Sequence, residues 1–254
     1  MPAITELLIK PSAPQFPADE LLISEDGEPM DSDWHGIELN LLRELVHQHL
    51  VGRQDFFAGG NMFIYFNEQQ ARNRDFRGPD FFFVWGVSPM PLRPYWAVWK
   101  EGGRYPNMIV ELLSPTTADE DLTTKKDVYE QIFRTPEYYC YDPETRKIQA
   151  WRLEQLVYQT VRPNDKGWVW CEQLKLWLGT WEGRYLQRHT TWLRFYTQEG
   201  VLVPTAEEWG EQHVAAAKAE STTAVQKADE QRSRAEAAEA ELALLKQQLQ
   251  QKKD

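Results

Sequence analysis

RGPDFFFV at residues 77–84, YPNMIVELLSP at residues 105–115 and DLTTKKDVY at residues 121–129 decide how this chain is read. PDFFFVWGV and NMIVELLS are near-continuous apolar runs, the pattern of strands covered on both faces. Residues 119–134 read as a helix. EYYCYDP then reads as a strand stopped by Asp142-Pro143, with KIQAWRL as its hairpin partner.

Three charged positions break these patterns. Asp80 follows Pro79 at the mouth of the first apolar run, where it is either a solvated strand-edge residue or a functional acid. Glu111 sits between Ile109-Val110 and Leu112-Leu113, inside a strand that should be buried. An unpaired buried carboxylate costs several kcal/mol, so Glu111 needs a cation, either a metal or a basic side chain. At about 100° per residue, Leu122, Val128, Tyr129, Ile132 and Phe133 gather on one helix face. Lys125 falls near the middle of that face and Lys126 about a quarter turn away. Lys125 therefore points toward the strand that carries Glu111. It is either the partner in a structural ion pair or a catalytic lysine beside a metal and a phosphodiester.

Working outward, Ile37, Leu41, Leu45 and Leu50 recur at helical spacing and predict a helix over 34–50, capped by Asp31, Ser32 or Asp33. DFFAGGNMFIYFN, residues 55–67, predicts a hairpin turning at Gly59-Gly60. Residues 88–106 read as a loop with a short strand-like piece at 96–99. Further strands are expected at 156–161, at 168–178 and in HTTWLRFYT. Residues 1–30, rich in Pro, Asp and Glu, read as an acidic N-terminal arm. Residues 31–204 read as the globular domain, and residues 205–254 as an Ala-rich helical tail. In that tail Val214, Ala217, Ser221 and onward to Leu242, Leu245 and Leu249 recur at alternating spacings of three and four, a heptad seam. Its Ala positions bury little, so a solvated single helix and a dimeric coiled coil are both open.

Hydrophobic residues make up 42% of the 254, enough for one core and an appendage. No apolar run of about 18 residues is present, so a membrane span is not expected. The N-terminus has no basic start followed by a long apolar stretch, so it does not read as a secretory signal. Cys140 and Cys171 have no ligand-like spacing and fit a reducing, cytoplasmic setting without a zinc site or disulfide. The net charge of −11 is concentrated in the flanks: residues 1–35 hold eight acids and one lysine, while residues 36–204 hold 21 acids and 20 bases. A near-neutral core permits a nucleic-acid partner without requiring one. His35, His47, His49, His189 and His213 read as solvated, as do the helix acids Glu38 and Glu44. Arg72, Arg74 and Arg77 could hold phosphates or pair with Asp75.

The order Pro-Asp, VELLSP, DLTTKKDVY, PEYYCYDP resembles the Uma-type restriction endonucleases, a branch of the PD-(D/E)xK nuclease superfamily, over roughly residues 31–200. The resemblance implies an α/β (α+β) restriction-endonuclease-like core, a mixed sheet with a helix on either side. It implies that Asp80 and Glu111 bind Mg²⁺ or Mn²⁺ with the Leu112 carbonyl. It further implies that Lys125 assists attack on a DNA phosphodiester. The superfamily usually places its lysine two residues after the second acid, where Leu113 stands here; in the Uma-type pattern it moves to the following helix, as Lys125 does. The expected function is a metal-dependent DNA endonuclease. The alternatives are a catalytically silent nuclease fold that holds nucleic acid or protein, and a coiled-coil interaction protein, with a homodimer or other partner meeting the C-terminal helix.

Overall fold

The structure, a computed structural model, describes residue 22, residues 32–67 and residues 78–251. The expected arm at 1–30, apart from Leu22, and the arginines Arg72, Arg74 and Arg77 lie outside the described residues. The chain divides into two units, Met1–Val203 and Pro204–Asp254.

In the first unit, helix α1 (Asp33–His49) starts where Ser32 accepts a hydrogen bond from the His35 amide and buries Ile37, Leu41, Leu42, Leu45 and Val46. Six strands form the main sheet: β1 (Phe56–Gly59), β3 (Phe81–Trp85), β5 (Met108–Leu112), β6 (Glu137–Asp142), β7 (Lys147–Glu154) and β8 (Val157–Thr160), in the order β1-β3-β5-β6-β7-β8. β5 and β6 are parallel and every other pair is antiparallel, so the sheet is mixed. A parallel pair needs a crossover. Here it is helix α2, residues 118–133. Two further strands, β2 (Ile64–Tyr65) and β4 (Trp96–Ala97), pair in parallel. β9 (Val169–Cys171), β10 (Leu176–Tyr185) and β11 (Arg188–Tyr196) form an antiparallel sheet in the order β11-β10-β9.

Strand alternation divides the apolar side chains between the two faces of the main sheet. Met108, Val110 and Leu112 pack with α1 and the β9–β11 sheet. Ile109 and Leu113 pack with Tyr129 and Phe133 of α2. A helix therefore covers each face, as the resemblance implied. Glu111 shares the parity of Ile109 and so faces α2. Another buried acid, Glu137, ties the two sheets: its carboxylate accepts from the Glu172 and Gln173 amides at 2.8 and 3.0 Å and pairs with Arg152 at 3.1 Å.

The expected hairpin at Gly59-Gly60 does not form. β1 pairs with β3 and β2 pairs with β4, in separate sheets. A Cβ on Gly60 would lie 1.8 Å from the Asp80 carbonyl oxygen and 2.6 Å from Leu39 Cδ1. The glycine serves a close backbone approach rather than a two-residue turn. The expected strand at 168–178 is two strands, split by the turn at 172–175.

The second unit is dominated by helix α3 (Ala206–Gln251). Thr205 and Glu208 cap its start reciprocally, Glu208 N to Thr205 Oγ1 at 3.2 Å and Thr205 N to Glu208 Oε2 at 2.8 Å. Residues 211–242 are all exposed, including the seam residues Val214 and Leu242. The side chains of Leu245 and Leu249 lie outside the described residues. Because residues 211–242 are exposed throughout, deleting residues 211–254 is expected to leave the thermal midpoint of the remaining chain within about 2 °C of wild type. A truncated chain that aggregates or loses its cooperative transition contradicts this.

Candidate active site

Asp80, Glu111 and Lys125 converge at the C-terminal end of β5. β3 begins one residue after Asp80 and runs antiparallel to β5, with Phe81 opposite Val110. That register brings Asp80 beside Glu111 and Leu112. The Leu112 amide donates to Asp80 Oδ2 at 2.6 Å, and the Asp80 amide donates to Glu111 Oε2 at 3.1 Å. Behind Asp80, the Asn61 amide donates to its carbonyl at 3.2 Å. The second Glu111 oxygen, Oε1, accepts from the Tyr129 hydroxyl at 2.8 Å.

Lys125 reaches this pair from α2. Its Nζ lies 3.5 Å from Glu111 Oε2 and 2.6 Å from Asp121 Oδ1. α2 is not a uniform α-helix: wider π-helical turns at Asp121–Lys125 and Tyr129–Phe133 alternate with α-helical turns at Ala118–Glu120 and Lys126–Val128. Lys125 nevertheless points at β5, and Lys126 turns aside to lie over the Trp151 ring at 4.7 Å.

Asp121 is the site residue that the sequence reading did not single out. It is buried, and the Tyr138 hydroxyl donates to its backbone carbonyl at 2.7 Å. Its signal in the sequence was its place four residues before Lys125, a spacing that brings an acid and a lysine together on a helix.

The electrostatics follow from three acids sharing one ammonium in a poorly solvated place. Burial pushes Glu111 up to about 7, against the pull of Lys125 and with the like charge of Asp80 adding to it. Burial also raises Asp80 and Asp121 to about 6 each, opposed in both cases by Lys125. For Lys125, burial alone would lower the ammonium's affinity for its proton. Glu111 and Asp121 together outweigh that, and the lysine is held well above its ordinary value.

No group of three or more His, Cys, Asp or Glu side chains is arranged to hold a metal ion among the described residues. Lys125 Nζ stands where the acids converge. The donor chemistry nevertheless fits a hard divalent cation: carboxylate oxygens with a backbone carbonyl beside them suit Mg²⁺ or Mn²⁺. Three carboxylates also exceed what a single ammonium neutralises.

The remaining candidates fall elsewhere. Glu38 is fully buried rather than solvated, but it projects from α1 on the opposite side of the main sheet from Glu111. Its Oε2 accepts from the Leu193 amide at 3.1 Å, and its Oε1 has no hydrogen-bond partner among the described residues. Burial raises it to about 8, opposed by that amide and by Arg194. Folded Glu38 thus keeps its proton up to about pH 8, while the unfolded chain releases it near 4.5. Its contribution to stability is present below about pH 4.5 and declines as pH rises through 8. Glu38→Gln removes that decline, so its thermal midpoint relative to wild type is expected to rise between pH 5 and pH 9. A difference that stays constant over this range shows that Glu38 does not titrate there. Glu44 accepts from the Tyr185 hydroxyl at 2.9 Å. His35 is buried and not solvated, because its ring is drawn inward to the Leu112 carbonyl. His49 is half-buried and bonds the Leu174 carbonyl at 3.0 Å.

Residues 20–181 match the family model Uma2, described as "Putative restriction endonuclease". No curated protein matches the chain. Among solved structures, the crystal structure of a protein described as a putative nuclease belonging to DUF820, from Anabaena variabilis, is similar at a TM-score of 0.42 and 13% sequence identity. That similarity covers 59% of this chain and 81% of that one.

Proposed function

Because the chain belongs to the Uma2 family of restriction-endonuclease-like proteins, we propose that it is a metal-dependent endonuclease that hydrolyses DNA phosphodiester bonds. One observation carries the reading: two strand-end acids and a helix lysine meet at one point, with Lys125 Nζ 3.5 Å from Glu111 and Asp80 joined to the same strand end.

In this reading Asp80, Glu111 and the Leu112 carbonyl would hold Mg²⁺ or Mn²⁺. The bound cation would lower the pKa of a water and neutralise charge on the scissile phosphate. The protein's own part is positional. Tyr129 and the Asp80 amide each engage one oxygen of Glu111, which fixes the carboxylate plane. Asp80 is held by the Leu112 amide. Asp121 keeps Lys125 charged and near the acids. In that state the lysine can stabilise negative charge that develops on the phosphate or steady the attacking water. A cleft of about 470 Å³ lined by His35, Leu113, Ser114 and Arg146 adjoins the end of β5, although Asp80, Glu111 and Lys125 do not line it.

A second reading is favoured by the same contacts. Every Glu111 oxygen already has a donor, and Lys125 neutralises it, as a structural ion pair would. The protein would then hold nucleic acid or protein without turnover. The exposed heptad seam of α3 offers a face to a second copy in either reading.

A plasmid-nicking assay with Mg²⁺ or Mn²⁺ against an EDTA control separates the two. Nicking that depends on the cation supports the endonuclease. Intact plasmid, together with retention of DNA on a filter, supports the silent binder.

A further inference from the structure

His35 projects from the first turn of α1 and is buried, although it lies 77 positions from the residue it touches. Its Nε2 is 2.7 Å from the Leu112 carbonyl oxygen, and its Nδ1 is 2.9 Å from Ser32 Oγ. A carbonyl only accepts, so Nε2 carries the proton and donates. In the neutral ring Nδ1 then accepts from the Ser32 hydroxyl. That hydroxyl also accepts from the His35 amide at 3.3 Å, so the helix cap and the ring tautomer are set by one group. With its proton on Nε2, His35 has no lone pair to offer a cation at that position. It is not a ligand in this arrangement.

Within a strand, the amide and carbonyl of one residue point to the same side. The Leu112 amide is bonded to Asp80 and its carbonyl to His35. β3 begins only at Phe81, so among the described residues neither group has a backbone partner across from it on that side. Leu112 is therefore held at both ends by side chains. One side chain comes from the segment before β3 and the other from α1. A carbonyl has two lone pairs, and the His35 bond uses one. Among the described residues the other has no hydrogen-bond donor, and the His35 bond fixes its direction.

Resting on the metal-dependent reading above, we propose that His35 is a positioning residue that aims the Leu112 carbonyl at the divalent cation. Removing groups that orient a ligand typically weakens metal affinity about 10- to 100-fold.

The test is titration calorimetry of Mn²⁺ alone into the full chain at pH 8. His35→Asn, whose shorter amide does not reach the carbonyl, is expected to weaken Mn²⁺ binding by about tenfold or more. His35→Gln places an N–H donor at nearly the distance of Nε2 and is expected to stay within about threefold of wild type. Melting in EDTA reports folding separately. A variant that loses Mn²⁺ while keeping its midpoint in EDTA shows positioning rather than loss of fold. Should His35→Asn not fold, Ser32→Ala, which releases Nδ1 and leaves the ring in place, is expected to weaken Mn²⁺ in the same direction. Binding as tight as or tighter than wild type in His35→Asn, or in Ser32→Ala, overturns the inference and leaves the metal-dependent reading standing. A wild type that binds no Mn²⁺ overturns both.

Discussion

Glu111→Gln is expected to reduce DNA cleavage to background and to abolish Mg²⁺ or Mn²⁺ binding, while the metal-free protein melts within a few degrees of wild type. The substitution removes the charge and keeps the shape. The amide oxygen can accept from the Asp80 amide as Oε2 does now, and the amide nitrogen can donate to the Tyr129 oxygen once that hydroxyl turns. Lys125 is not stranded, because its shorter contact, 2.6 Å, is with Asp121. The usual cost of breaking a buried ion pair, ~3–5 kcal/mol, should not appear in full. Melts in EDTA and in Mg²⁺ are read together with plasmid nicking. Nicking that survives the substitution removes Glu111 from the reaction. A loss near that full cost in EDTA, with no Mg²⁺ effect on wild type, makes the residue structural.

Lys125→Ala is expected to abolish cleavage and, unlike Glu111→Gln, to destabilise the metal-free fold strongly. It leaves Asp80, Glu111 and Asp121 facing one another without their ammonium. Removing one partner of a buried pair costs ~3–5 kcal/mol, a fall in midpoint on the order of 10 °C for a unit of this size. The loss depends on pH in a definite sense. These acids already titrate near 6, 7 and 6 in the fold, above their ordinary 3.8, 4.5 and 3.8. Without the lysine they rise further, and the folded chain binds more protons than the unfolded one over roughly pH 4 to 8. Stability of the variant therefore falls as pH rises through that window, and its deficit is smallest near pH 5. Mg²⁺ at pH 8 should restore part of it, since a cation relieves the same repulsion. Lys126→Ala loses a ring contact to Trp151 and should keep most cleavage. Equal losses at the two lysines would refute the assignment.

How much of this was legible in the sequence depended on how local each signal was. β3 and β5 announced themselves as apolar runs, and Glu111 as an acid inside one of them. Helical phase aimed Lys125 at that acid even though α2 contains two π-helical turns. Each widened turn shifts the phase by only part of a residue, and Lys125 sits at the end of the first. Asp121 carried a local signal that a pairwise spacing rule would have caught. His35 carried none. Its partner is 77 residues away, and a lone histidine on an amphipathic helix has no pattern that separates buried from solvated. Glu38 failed for the same reason. It is matched to the β11 amide of Leu193, a contact between elements far apart in the chain. Glu137 shows why burial alone does not mark function. It is buried like Glu111 and, like it, has donors for its oxygens; the difference is that Glu111 lies among further acids. Gly59-Gly60 misled because a glycine pair signals a turn and a close approach equally well.

That close approach sets a limit on how the gene can vary. Gly60 has no chemistry to contribute, but a Cβ there would collide with both the backbone of Asp80 and the Leu39 side chain of α1. Any larger residue must push the first acid away from the strand end or lift the helix off the sheet. In a selection for cleavage, every codon change at this position that alters the amino acid should be lost as completely as changes at Asp80 itself. A selection for folded protein alone should tolerate some of them. The difference between the two survival maps would mark Gly60 as a position held constant by its neighbour's task.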